Sequence, residues 1–153
     1  MPAFRNILVP VDFSENAAEA IEIGAQLAED EGGSVRVVHV RQSSPVRYAI
    51  QEGLLEPGDD DSTIEHKVSE HLGAQIDAFL APLGERASTV EKVVLYGDPS
   101  REIVDYARSH DIDLIVMGRR GTTLADVMLG SVAERVIRHA DCPVLIAKGP
   151  RNE

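Results

Sequence analysis

Gly118 and Gly121 bracket Arg119 and Arg120 directly after the apolar run Leu114–Met117, and eight residues separate Gly121 from Gly130-Ser131. Glycine carries no Cβ, so a turn built this way can take positive φ angles and bring its backbone close to a ligand, leaving a concave set of free N–H groups. Gly130-Ser131 at the start of a helix would add unpaired amides, the positive end of the helix dipole and the Ser131 hydroxyl. Two amide clusters facing one gap suit a polyphosphate. Gly-x-x-Gly taken alone serves equally well as a structural turn. No Gly-Lys-Ser or Gly-Lys-Thr follows it, so no lysine can track terminal phosphates, and the spacing is not a dinucleotide fingerprint.

Other polar residues offer less. Asp12 ends an apolar run and can accept hydrogen bonds from ribose hydroxyls or help hold a divalent ion; it can equally be a solvated strand end or a helix cap. Arg119 and Arg120 divide between a phosphate clamp and a surface charge. Asp59-Asp60-Asp61 lacks the spaced ligands and the glutamate of a calcium loop and reads as a solvated acidic stretch. His66 and His71 lie five apart, on different parts of a helix, and do not make a metal pair. His39 stands between apolar strand residues and reads as a packed core side chain. Ser14 and Ser131 have capping positions and no evident base partner, and no catalytic constellation emerges.

The elements that must position these residues alternate. Asn6–Asp12 is a nearly continuous apolar run, as in a parallel strand covered on both faces. Ser14 can cap a helix with Ala17, Ala20, Ile21, Gly24, Leu27 and Ala28 on one face, and Gly32-Gly33 stops it. Ser34–Val40 is a second, β-branched strand. From Arg41 to Ser62 the pattern dissolves into one long variable loop. Ser62-Thr63-Ile64-Glu65 has capping-box spacing for a helix ending near Gly84. Val90–Leu95 is a third strand, and Asp98-Pro99 suits the cap and first turn of the next helix. Leu114–Met117 is the fourth strand. Ser131-Val132-Ala133-Glu134 forms a second capping box, and Val144–Ala147 is a short fifth strand before a tail at 149–153. Five strands and four helices predict one α/β domain over residues 1–153, a doubly wound five-stranded parallel sheet of order 3-2-1-4-5 with helices on both faces. Ligands of such sheets bind where the winding reverses, here beside Asp12 and Gly118.

At 153 residues and 43% hydrophobic, the chain has the size and apolar content of a single core. Its apolar runs are too short to span a bilayer. The start, Met1-Pro2-Ala3-Phe4-Arg5-Asn6, lacks the features of a signal peptide, and the expectation is a cytoplasmic protein. Cys142 is the single cysteine, which excludes an intrachain disulfide and reads as a small buried hydrophobe. The formal charge of −11 argues against nucleic acid or an anionic membrane as partner.

Asp113–Gly121 and Leu129–Leu145 together resemble the signature of the universal stress protein family. Ile7–Ser14 is similar to that family's first strand, and Val38-His39-Val40 and Tyr96-Gly97-Asp98-Pro99 match comparable segments, so the resemblance spans nearly the whole chain. It is with the ATP-binding branch, which carries nine residues between Gly-x-x-Gly and Gly-Ser or Gly-Thr where this chain has eight. The resemblance implies that Pro10, Val11 and Asp12 border adenosine, that Val40 holds adenine through its backbone, and that Met117 and Gly118 line the ribose side. Gly121, Gly130, Ser131 and Val132 would face the phosphates, with Arg119 leaning over them.

The function expected is a nucleotide-dependent stress-response or signalling protein that binds ATP with magnesium. Strand 144–147 lies at a sheet edge, which proteins normally protect, and both this and the resemblance point to a homodimer paired through it; a further protein partner stays open. Alternatives are a slow ATPase or self-phosphorylating enzyme, for which no base is identified, and a structural member of the same fold that binds no nucleotide. A phospho-acceptor domain using Asp12 lacks a matching acidic pair and lysine. A flavin carrier would want more than the 4% aromatic residues present.

Overall fold

The computed structural model describes residues 4–119 and 129–149. Five strands, β1 (Asn6–Pro10), β2 (Ser34–Arg41), β3 (Glu91–Tyr96), β4 (Leu114–Gly118) and β5 (Val144–Ala147), form one sheet in the order β3-β2-β1-β4-β5. Every neighbouring pair is parallel. The predicted order and class therefore hold, and the winding reverses between β1 and β4.

The strands are continuously apolar because alternate residues feed two different cores. Ile7, Val9, Val35, Val37, Leu114 and Val116 pack on one face under α1 (Glu15–Glu31) and α3 (Asp61–Leu80). Leu8, Val38, Ile115 and Met117 pack on the other, under α4 (Pro99–Ser109) and α5 (Ser131–His139). Deleting one such fully buried side chain, for example Ile115→Ala, costs about 2–5 kcal/mol in comparable cores. At the amino end of the sheet the Asp113 carboxylate accepts the backbone N–H groups of Arg5 and Asn6, at 2.9 and 3.1 Å, and so pins β1 beside β4.

The stretch 41–62 departs from the expected loop. Pro45–Gln51 forms a helix, α2, with Ser44 capping the N–H of Arg47 at 3.2 Å and Pro45 in the first turn. Seven residues are too few for a helix to stand in water or to show a clear period. Ala49, 1% exposed, docks it on Ile64, Val68 and Leu72 of α3. The described residues thus hold five α-helices.

The cap of α3 also differs from the expected Ser62 box. Asp60 is the N-cap, its carboxylate accepting the N–H of Thr63 at 2.8 Å. Asp59 pairs with Lys67 at 2.9 Å, so two members of the acidic run work locally on this helix. Beyond Leu80 the chain tightens into a 3-10 stretch, Ala81–Thr89, broken at Gly84, where φ is 65°.

Candidate functional site

At the carboxyl end of β1 the chain reverses sharply over Val11–Ser14. The N–H of Val11 donates to Val38 O at 2.9 Å. His39 Nδ1 lies 2.9 Å from Val11 O; because a carbonyl can only accept, this nitrogen carries the proton. His39 is accordingly half-buried and holds the turn, rather than being a plain core residue. Phe13 takes a left-handed φ of 65°, and its ring lies 4.8 Å from that of His39 and 5.7 Å from that of Phe79. The aromatic packing holds a backbone conformation that a bulky residue rarely adopts. Asp12 is left exposed at the rim, with Oδ1 accepting the Ser14 N–H at 3.0 Å. Ser14 in turn caps α1 through Ala17, as expected.

Across the reversal point, Met117 and Gly118 end β4. The Arg119 N–H donates to Ala147 O at 2.9 Å, and its carbonyl accepts the Gly130 N–H at 2.6 Å. Arg119 therefore ties β5 to the residue that opens α5 through its backbone. Its side chain is half-buried, is not among those lining the cleft described below, and has an Nε with no partner among the described residues. Gly121 and Arg120 lie outside the described residues.

The helix start at Gly130 is unlike the others. Ser14, Ser44, Asp60 and Asp98 each cap their helix with a side-chain oxygen. α5 has Gly130 as N-cap and no side-chain cap bond. The expected Ser131–Glu134 box does not form, because Ser131 is already the first helical residue and Glu134 is engaged with Arg138 at 2.7 Å. The first-turn amides and the Ser131 hydroxyl are thereby left without that reciprocal cap.

These ends enclose a cleft of about 410 Å³, within the range of small-molecule and cofactor sites. Nine of the expected site residues line it: Pro10, Val11, Asp12, Val40, Met117, Gly118, Gly130, Ser131 and Val132. The remainder of the wall comes from residues that the sequence reading left out. Val38 and Gln42 flank Val40 at a spacing of two, and strand alternation through Val40 could have found them. Pro99 and Ile103 come from α4, whose crossover onto this face only the topology reveals. The slot is apolar in its middle, carries the Asp12 carboxylate at its rim and opens on the uncapped α5 terminus. Among its described lining residues there is no lysine or arginine, so an anion here would be held by backbone amides and the helix dipole.

Cys142 is half-buried against the α4–α5 core, and burial pushes its thiol up. No three-residue group of His, Cys, Asp or Glu among the described residues could hold a metal, and no described helix is long and apolar enough to cross a membrane.

Residues 3–148 match the universal stress protein family. Universal stress protein MJ0531 of Methanocaldococcus jannaschii is 33% identical over 98% of this chain and 85% of its own length. The structure of MJ0577, from the same organism, superposes with a TM-score of 0.74 at 27% identity, over 99% of this chain and all of that one. A universal stress protein of Archaeoglobus fulgidus, solved in complex with dAMP, superposes with a TM-score of 0.62 at 25% identity, over 95% of this chain and 98% of that one. The family match and these likenesses extend over nearly the whole chain, and the chain belongs to the universal stress protein family.

Proposed function

We propose that this protein binds ATP, with magnesium, in the cleft between the ends of β1, β4 and α5, and acts as a nucleotide-dependent stress-response or signalling homodimer in the cytoplasm. The observation that carries the proposal is the α5 terminus: alone among the described α-helices it lacks a side-chain cap, and it opens into an apolar slot. The same features meet a nucleotide's needs. Val38, Val40, Pro99 and Ile103 offer apolar surface to a base, Asp12 offers acceptors to a ribose, and the amides of Ser131 and Val132 with the Ser131 hydroxyl offer donors to phosphate. Gly121 would add amides, and the Arg119 side chain would add a charge on turning into the cleft.

The energies are adequate. Hydrogen bonds to a charged phosphate contribute roughly 1.5–3 kcal/mol each and a helix terminus about 0.3–1 kcal/mol, against association costs of about 4–15 kcal/mol. Base burial supplies the rest, and micromolar affinity corresponds to about −8 kcal/mol. Magnesium would be held mainly by phosphates and water, with Asp12 the one carboxylate lining the cleft among the described residues. Occupancy would act by shifting populations between conformations rather than through turnover. Pairing through the edge strand β5, whose Val144, Leu145 and Ile146 are only partly buried, would complete the homodimer.

The test is to denature the purified protein, identify any released nucleotide by mass spectrometry, and titrate nucleotide-free protein with ATP, ADP, AMP and FMN with and without magnesium. ATP binding that FMN does not match is the expected result. No response to ATP under any of these conditions refutes the proposal. Sedimentation at high concentration reads the oligomer separately, and a monomer there refutes the homodimer.

A further inference from the structure

Arg41 ends β2 opposite Tyr96 of β3 in the sheet register and is not among the residues that line the cleft. It is 4% exposed, yet Nε, Nη1 and Nη2 are all buried without a hydrogen-bond partner among the described residues. Guanidinium does not escape this by losing its proton, because its pKa lies far above neutrality. What surrounds it is aromatic: Cζ lies 4.1 Å from the ring centroid of Tyr96 and 5.1 Å from that of Tyr48. Such rings compensate the charge but accept none of the in-plane N–H bonds, and a buried cation with unmet donors is among the most costly arrangements a protein keeps.

We propose that Arg41 is the binding group of a second oxyanion site, separate from the nucleotide cleft, which takes a phosphate or carboxylate group between Tyr48 and Tyr96. The donors of a guanidinium leave from its edge in a planar fork that matches two oxygens of such a group. The two rings lie against the guanidinium and its donor edge is buried, so an oxyanion reaches that edge only where a ring gives way. Tyr48 is the fixed wall, its hydroxyl 2.9 Å from His71 Nδ1 on α3. Tyr96 is the yielding one: it closes the edge strand β3 and its residue is 46% exposed. An oxyanion that displaces Tyr96 exchanges one cation–π contact for two charge-assisted hydrogen bonds. Burial lowers the pKa of Arg41 and the tyrosines only partly counter this, in keeping with a cation that lacks an anionic neighbour.

The protein reports on this site by itself. It has no tryptophan and three tyrosines, two of which flank Arg41. Nucleotide-free protein at fixed ionic strength is titrated with inorganic phosphate and, separately, with acetate, following tyrosine fluorescence, and the series is repeated with ATP present. The expected result is a saturable change that persists with ATP, is absent in Arg41→Met, and needs roughly tenfold more anion in Arg41→Lys, the loss of one charge-assisted hydrogen bond. A response to phosphate alone or acetate alone identifies which oxyanion is taken. The proposal is overturned by no saturable change with either anion, by a change that ATP abolishes, or by an equal change in Arg41→Met. Should Arg41→Met fail to fold, equal half-saturation in Arg41→Lys and the unaltered protein overturns it.

Discussion

A Cβ on Gly118 would stand 2.7 Å from Asn16 Cβ and 3.0 Å from the Asn16 carbonyl carbon. The end of β4 and the first turn of α1 therefore touch backbone to backbone at the floor of the cleft. That contact brings the Ser14-capped helix against the winding reversal, and no side chain fits between them. Gly118→Ala is expected to destabilise the protein by about 1–3 kcal/mol through overpacking, read as a lower urea midpoint at unchanged slope. An unchanged midpoint would mean that the two elements sit farther apart.

Gly130 adopts φ −64° and ψ 154°, a conformation open to any residue, so its lack of a side chain is not a backbone requirement. Gly130→Asp would supply the cap that α5 lacks and should raise stability by about a few tenths of a kcal/mol. The same carboxylate would occupy the amides and repel phosphate, and ATP affinity should fall roughly tenfold or more. Calorimetric titration beside thermal melting separates the two effects; improved stability with undiminished ATP affinity would remove α5 from the phosphate site.

Asp98, the cap of α4, is held below the usual carboxylate range first by the Ser100 hydroxyl, 2.9 Å away, and then by the Arg101 N–H at 3.1 Å. A folded-state pKa below the unfolded one means that this contribution is complete above about pH 4 and is lost as pH falls through the folded value. Melting temperatures between neutral pH and pH 3 should therefore drop less steeply for Asp98→Asn than for the unaltered protein. Comparing the two is necessary because the net charge of −11 also shrinks on acidification. Parallel curves would show that Asp98 is not linked to folding.

Asp60 and Ser62 compete on paper for the α3 cap, and the structure assigns it to Asp60. Asp60→Ala should lower the melting temperature, whereas Ser62→Ala should leave it nearly unchanged, because only the first removes an acceptor from a helix N–H. The reverse order would restore the Ser62 box.

Strand and helix types, and with them the 3-2-1-4-5 sheet, were legible because they depend on short unbroken apolar runs, a helical period of 3.6 and local stop signals such as Gly32 and Pro99. These act over a few residues and leave their mark in the order of side chains. Asp12, Gly118, Gly130 and Ser131 could be nominated for the same reason, since they end or begin elements that the pattern itself delimits; Pro10, Val11 and Val132 came from the family resemblance. The helix at Pro45–Gln51 left no such mark, since one buried residue, Ala49, gives no period and its stability comes from docking on α3. The α3 cap falls on Asp60 rather than Ser62 because two acceptors two residues apart look alike until the backbone chooses, and the Ser131 box fails because the cap position falls on Gly130 and Glu134 pairs with Arg138. Pro99 and Ile103 entered the cleft only through the crossover that lays α4 on that face. Arg41 makes the same point most sharply. In the sequence it is only the first letter of the expected loop; the pairing of β2 with β3, distant along the chain, and the nearby helix α2 bring two tyrosine rings against it and leave its donors unmet among the described residues.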